Sequence, residues 1–358
     1  MNISKHMLPM SEIGSKTMTN NPLNQYDVIH LGPYFCDLII AGLADLPQLG
    51  AETYGTELHM VPGGAFNTTY ALHRLELKTG WVSDFGSDHF SQFVLEKIKE
   101  LGIDTTFFKI HDHHLCALSV AFSFQYDRGF ISYMDPCEPW NLIEILETYR
   151  PRIFLVGGLE YGPAFLDFAA AARQLGTTLV MDCQYRDVTL STPGVVEALS
   201  SVDIFMPNCC EAFRLTGIHD TSESSRILAQ YTPQVVIKIG REGSVAYSQG
   251  VVTRMPAIHV PKVMDTTGAG DSFNAGFLYG YLQGKPIETC LKYAGIMGGA
   301  CVTGFGVSQI PNRAQLDTLV GQYEQLVAGV GELPKQPSLG LDFSISPVIH
   351  PSNASDHR

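Results

Sequence analysis

Asp265-Thr266-Thr267-Gly268-Ala269-Gly270-Asp271-Ser272-Phe273-Asn274-Ala275-Gly276-Phe277-Leu278 is the stretch on which the reading of this chain turns. Phe273, Phe277, Leu278, Tyr281 and Leu282 recur at helical spacing, which predicts a helix starting at about Gly270 or Asp271. Gly268, Ala269 and Gly270 are then a helix entrance with no side chain large enough to keep a ligand off the backbone. The first amides of a helix have no intrahelical partner, and with the positive end of the helix dipole they make a seat for a phosphate or a developing negative charge. A carboxylate at Asp271 would repel that anion unless its task is to take a proton from the group attacking it. On its own, a Gly-Asp pair is only a favourable acid in a first helical turn.

The whole run from Asp265 to Leu278 resembles the second signature of the PfkB (ribokinase-like) carbohydrate kinases at every position. That resemblance implies Asp271 as catalytic base and the Gly268-Ala269-Gly270 amides as the anion hole for the transferred phosphoryl group. It also implies a ribokinase-like α/β fold: a doubly wound, mostly parallel sheet flanked by helices, with a small β-sheet lid.

The chain has 358 residues, of which 45% are hydrophobic, enough for a globular core. A formal charge of −13 leaves no chain-wide positive field to attract nucleic acid or an anionic membrane. The cysteines 36, 116, 137, 183, 209, 210, 290 and 301 form no C-x-x-C pair and have no histidines at zinc spacing, so they read as reduced thiols of a cytoplasmic protein. No run reaches the ~18 apolar residues of a membrane span, and residues 1–24 lack an apolar signal core.

Along the chain, residues 1–24 read as a flexible N-terminal segment, 25–330 as the kinase domain and 331–358 as a flexible tail. Asp27 to Leu31 and Leu38 to Ala41 are apolar runs broken by Gly32-Pro33, expected as buried strands of the parallel sheet. Asp37 interrupts them, and a buried carboxylate must be paired, capping, or facing a ligand. Pro62-Gly63-Gly64-Ala65-Phe66-Asn67 opens a helix where a substrate can lie close to the backbone, with Asn67 offering donor and acceptor. This piece resembles the family's first signature. The resemblance assigns Asp37, Gly63, Gly64 and Asn67 to the acceptor sugar, while Glu76 and the missing lysine between the glycines and Asn67 depart from the ribokinase pattern.

His111-Asp112-His113-His114 reads as a solvated loop rather than a metal cluster, because neighbouring ligands on one short loop do not easily converge. Leu115 to Tyr126 and Gly129 to Tyr133 predict a hairpin which, with residues 42–62, should form the small sheet. The aromatic residues Phe122, Phe124 and Tyr126 suit either a lid over the sugar or the core of a homodimer.

From Arg152 onward, apolar runs alternate with helical segments, arguing a doubly wound parallel sheet whose ligands collect outside the carboxyl ends of its strands. Glu160, Gln184 with Arg186, Asn208 and Lys238 fall just after such ends. The resemblance assigns Glu160 to the sugar. It makes Asn208-Cys209-Cys210-Glu211 an Asn-x-x-Glu motif that holds magnesium through water, with Asn208, Lys238, Gly240, Gly243 and Gly270 serving the nucleotide. Asp265 and Thr267 resemble potassium-binding positions. The small residues of Leu291 to Cys301 suit close packing beside an adenine, although Gly295 stands where relatives carry Asn or His.

The expected activity is ATP-dependent, magnesium-assisted phosphorylation of a hydroxymethyl group on an unphosphorylated sugar, since 32–67 and 115–135 hold one basic side chain, Arg128. The alternatives are a nucleoside kinase of the same family and a catalytically silent nucleotide-binding regulator. A dinucleotide-dependent dehydrogenase would need its glycine-rich turn after the first strand, and here it comes late.

Overall fold

The structure is a computed structural model in which residues 25–124, 127–184 and 186–330 are described. The segments 1–24 and 331–358, and Tyr126 of the hairpin turn, lie outside the described residues, and so do the expectations placed on them.

In chain order the elements are β1 (Val28–Leu31), β2 (Tyr34–Ala41), β3 (Glu57–Gly64), α1 (Ala65–Arg74), β4 (Thr79–Phe85), α2 (His89–Leu101), β5 (Phe108–Ile110), β6 (Ala117–Phe124) and β7 (Asp127–Met134). There follow α3 (Leu142–Tyr149), β8 (Ile153–Val156), α4 (Pro163–Leu175), β9 (Thr178–Asp182), α5 (Val195–Leu199), β10 (Ile204–Met206), α6 (Cys209–Thr216) and α7 (Thr221–Leu228). The chain continues through β11 (Gln234–Lys238), β12 (Ser244–Ser248), β13 (Val251–Met255), α8 (Ala269–Leu282), α9 (Ile287–Cys301) and α10 (Arg313–Val330).

The large sheet runs β13-β12-β11-β10-β9-β8-β1-β4-β5, parallel from β11 to β5 and extended by the antiparallel hairpin β12–β13. Its strands are short and buried on both faces, as a parallel sheet between two helix layers requires. Alternate residues serve opposite cores: Leu155 and Val180 pack with Phe277, Leu278 and Met297 of α8 and α9, whereas Phe154 and Leu179 pack with Phe168 and Ala172 of α4. Helices α8 and α9 meet closely because Gly276 lets the backbones touch; a Cβ there would lie 2.7 Å from Tyr293 O. Part of the small-residue pattern of α9 therefore serves helix packing, with Gly298 lying against Ala269 O and Gly295 facing Ile258.

The small sheet, β3-β2-β6-β7, differs from expectation in one respect. Leu38–Ala41 is not a strand of the parallel sheet. It belongs to β2, which pairs antiparallel with β3 and parallel with β6. The expected lid segments 42–62 and 115–135 are thus incomplete, since 34–41 belongs to the sheet and 42–56 forms no strand. The apolar run misleads because Leu38 to Ala41 is apolar on both faces of its strand. Register puts Leu58, Met60, Leu38, Ile40, Val120, Phe122, Ile131 and Tyr133 on one face and Asp37, Ile39, Ser119, Ala121 and Ser132 on the other. On the former, Leu58 is 68% exposed and Ile131 67%. The latter is turned inward, where Asp37, Ser119 and Ser132 border a cavity.

Candidate active site

That cavity, of about 250 Å³, lies between the small sheet and the carboxyl ends of β1, β8 and β9. The N-termini of α1 and α8 close it, and Asp37, Gly64, Asn67, Thr267, Gly268 and Asp271 all line it.

The loop entering α8 is held from behind. Asp265 is buried, and its Oδ1 accepts Thr267 N–H (3.0 Å) and Thr267 Oγ1–H (2.9 Å) while Oδ2 accepts Gly306 N–H (2.9 Å). Asp265 thus braces the loop entering α8, and both its oxygens are engaged within the chain. Gly268 caps α8 in the left-handed region (φ 77°), where a side chain is disfavoured. The helix begins at Ala269, one residue before the expected start. Of the three loop amides, that of Ala269 closes a turn on Thr266 O at 3.3 Å.

Asp271 follows in the first turn with its carboxylate directed at α1: Oδ1 accepts from Thr68 Oγ1 (2.9 Å) and Oδ2 from Asn67 Nδ2 (3.4 Å). It makes no ion pair among the described residues, the nearby Lys238 being bonded to Asp182 instead. Burial raises its pKa above the ordinary aspartate range and the charge of Asp182 adds to this; the Thr68 bond and the Lys238 charge oppose. Asn67 is buried, and its Oδ1 has no hydrogen-bond partner. A buried acceptor left unsatisfied at the wall of a cavity is suited to a ligand hydroxyl.

Asp37 is buried on the inner face of the small sheet, directly over Gly63, where a Cβ would lie 2.0 Å from its Oδ2. Gly63 is required by that approach. Gly64 is the N-cap of α1. His30 also lines the cavity; burial lowers its pKa to about 4 against the opposing charge of Asp182, so it is neutral near pH 7.

On the other side of the loop entering α8, Lys238 ends β11 with Nζ donating to Asp182 Oδ1 (2.8 Å) and Asn274 Oδ1 (3.2 Å). Asn208 bridges to Lys238 and caps α6 in a reciprocal box with Glu211: Glu211 N–H donates to Asn208 Oδ1 (2.9 Å) and Asn208 N–H to Glu211 Oε2 (2.7 Å). Burial, then the charge of Asp182, raises the Glu211 pKa to about 7, with Lys238 opposing. Gly240 opens a tight turn after β11, and Gly243 ends it against the backbone of Met255 to Ala257.

Among the residues expected at the sugar, the cavity lining takes in Asp37, Gly64 and Asn67 but neither Gly63, which lies beneath Asp37, nor Glu160. Its Oε1 accepts from Arg186 Nη2 (2.9 Å) in a half-exposed pair, and it is not among the cavity-lining residues. Falling after a strand end fixes a residue's position but not the direction of its side chain. Sequence reasoning passed over Asp182, Thr68, Ser119, Ser132 and Phe130, each of which lines the cavity. Asp182 carried a usable signal, as an acid closing a buried strand, the argument applied to Asp37. In the histidine-rich loop, His111 Nε2 lies 2.8 Å from Asp84 Oδ1, and no group of three or more His, Cys, Asp or Glu side chains suited to a metal occurs among the described residues.

Comparisons with known proteins agree with the fold. A 5-dehydro-2-deoxygluconokinase of Geobacillus kaustophilus (strain HTA426) is 28% identical over 290 residues, covering 74% of this chain and 85% of that protein. The structure of Arabidopsis thaliana ribokinase complexed with ribose and ATP superposes with a TM-score of 0.67 at 22% identity, covering 82% of this chain and 98% of that one. A Burkholderia thailandensis nucleoside kinase in complex with inosine gives a TM-score of 0.64 at 18% identity, covering 86% and 100%. A family profile described as pfkB family carbohydrate kinase matches residues 44–314, about three-quarters of the chain, so this protein belongs to the pfkB family of carbohydrate kinases.

Proposed function

We propose that the chain transfers the γ-phosphoryl group of ATP to a hydroxymethyl group of an unphosphorylated, ribose- or fructose-like sugar. The observation that carries this is that Asp271, accepting from Asn67 Nδ2, and the unsatisfied Oδ1 of Asn67 stand together at one wall of the cavity. Asp37 and Asn67 bind sugar hydroxyls over the Gly63-Gly64 backbone. Asp271 accepts the proton of the attacking hydroxyl, and the backbone amides at Gly268 and Gly270 stabilise the negative charge of the transferring group. Ala269 contributes backbone shape more than an amide. Asn208, Lys238, Gly240, Gly243 and Gly270 serve the nucleotide.

Around Lys238 stand three carboxylates, Asp182, Glu211 and Asp271. That excess of negative charge fits a hard divalent cation, and Glu211, through water, is the residue that would hold magnesium, which when bound offsets charge on the nucleotide phosphates. Asp265 and Thr267 would serve a potassium ion only through oxygens beyond those bracing the loop. The inner face of the small sheet is the lid over the sugar, and its exposed apolar face is the contact for a second copy of the chain.

Sugar phosphates and sugar acids are disfavoured because, among the described residues, the cavity lining has Asp37, Asp182 and Asp271 but no Lys or Arg. Phe35 and Phe130 at the cavity favour a nucleoside as the second reading, since a base stacks on such rings. ATP-consumption assays over neutral pentoses and hexoses, their acids and phosphates, and nucleosides test the reading. Turnover on a neutral sugar is expected; turnover confined to phosphates or acids contradicts it, and ATP binding without turnover across the panel indicates a silent regulator.

A further inference from the structure

Asp182, Lys238 and Asn274 close a ring of hydrogen bonds. Lys238 Nζ donates to Asp182 Oδ1 (2.8 Å) and Asn274 Oδ1 (3.2 Å), and Asn274 Nδ2 donates to Asp182 Oδ2 (2.7 Å). The three come from separate elements: Asp182 ends β9, Lys238 ends β11 two strands away, and Asn274 stands one turn beyond Asp271 on the same face of α8. Lys238 is 13% exposed and Asp182 17%. A Cβ built on Gly270 would lie 4.0 Å from Lys238 Nζ, so the ammonium rests against the anion loop.

A buried ion pair is weak evidence for stability, because apolar residues of the same volume commonly do as well. This one opens on the active-site cavity, which both Asp182 and Asn274 line. An ammonium has three donors, and the ring takes two. The two oxygens of Asp182 and the two ends of the Asn274 amide are all engaged, so the orientation of Nζ is fixed.

We propose that Asp182 and Asn274 are positioning residues for phosphoryl transfer, holding the Lys238 ammonium so that its third N–H serves the group bound at Gly268–Gly270. Asp182 has a second effect in the same arrangement. It keeps Lys238 off Asp271, another of the carboxylates around it, so that the base is not neutralised in an ion pair. This inference rests on the phosphotransferase reading above.

The test is steady-state kinetics of the full chain with ATP and whichever of D-ribose, D-fructose or adenosine turns over, for wild type, Asp182→Asn, Asn274→Ala, Lys238→Met and the Asp182→Asn/Lys238→Met double variant, each checked for folding by circular dichroism. Each single variant is expected to lose at least ~10-fold in kcat, with KM for the acceptor held within ~3-fold. The double variant should be no slower than Lys238→Met alone, because both changes act through one ammonium. Wild-type kcat in Asn274→Ala, losses that multiply in the double variant, or a rise in acceptor KM with kcat kept would each overturn the proposal. If Asp182→Asn does not fold, Asn274→Ala and Lys238→Met with their own double variant carry the same comparison. An Asp271→Asn variant with full turnover defeats the underlying reading; an inactive one beside a fully active Asp182→Asn defeats only this inference.

Discussion

Asp271 and His30, which both line the cavity, respond to pH in opposite senses. The proposed base Asp271 would act only when ionised, and burial together with Asp182 raises its pKa above the ordinary 3.8, so kcat/KM should fall as pH drops through a value above the usual aspartate range. Thr68 donates to the charged form; Thr68→Val should move that acid limb to still higher pH, measured from pH profiles of the two proteins. His30 titrates the other way. Its folded pKa of about 4 lies below the ordinary 6.5, so the folded state favours the neutral ring, and the stability this contributes is present above pH 6.5 and is lost as pH falls toward 4. Relative to His30→Gln, wild type should lose about 3 kcal/mol of unfolding free energy across that window in urea titrations at stepped pH. Asp271 and Asn67 were legible because their neighbours are constrained: the small residues before Asp271 and the paired glycines before Asn67. Asp182 escaped notice and Glu160 was expected in the cavity because a strand end says which residues gather, while side-chain direction depends on partners elsewhere, here Lys238 and Arg186.

Among the elements, α8 does two jobs: its first turn carries Asp271 at the cavity and its body packs on α9. Gly276 is the point where the packing is most exacting. Gly276→Val should cost roughly 1–3 kcal/mol by overpacking against Tyr293 and Ala294, seen as a lower urea midpoint, and should leave nucleotide affinity within about 3-fold if the entrance at Gly268 is undisturbed. Helix α8 was readable from its period and its glycines, and the parallel strands from their continuous apolar runs. Strand β2 was not, because a strand apolar on both faces gives the same run whether it lies between helix layers or in a sheet with one face left open. The hairpin β12–β13 carried alternation too short and too mixed to stand out.

For the molecule as a whole, the small sheet joins both proposed tasks, acceptor closure on its Asp37 face and self-association on its Leu58 and Ile131 face. The double substitution Leu58→Glu with Ile131→Glu should convert a dimer to a monomer in sedimentation velocity, since both residues are more than 60% exposed on the open apolar face. Unchanged sedimentation would remove the dimer proposal and leave the lid. The central claim, a backbone seat for negative charge beside a carboxylate that accepts a hydroxyl proton, is tested most directly by the turnover of Asp271→Asn with ATP and the preferred sugar, alongside titration of ATP binding. The expected result is a kcat at least ~10²-fold lower with nucleotide affinity retained; near-normal turnover would contradict it.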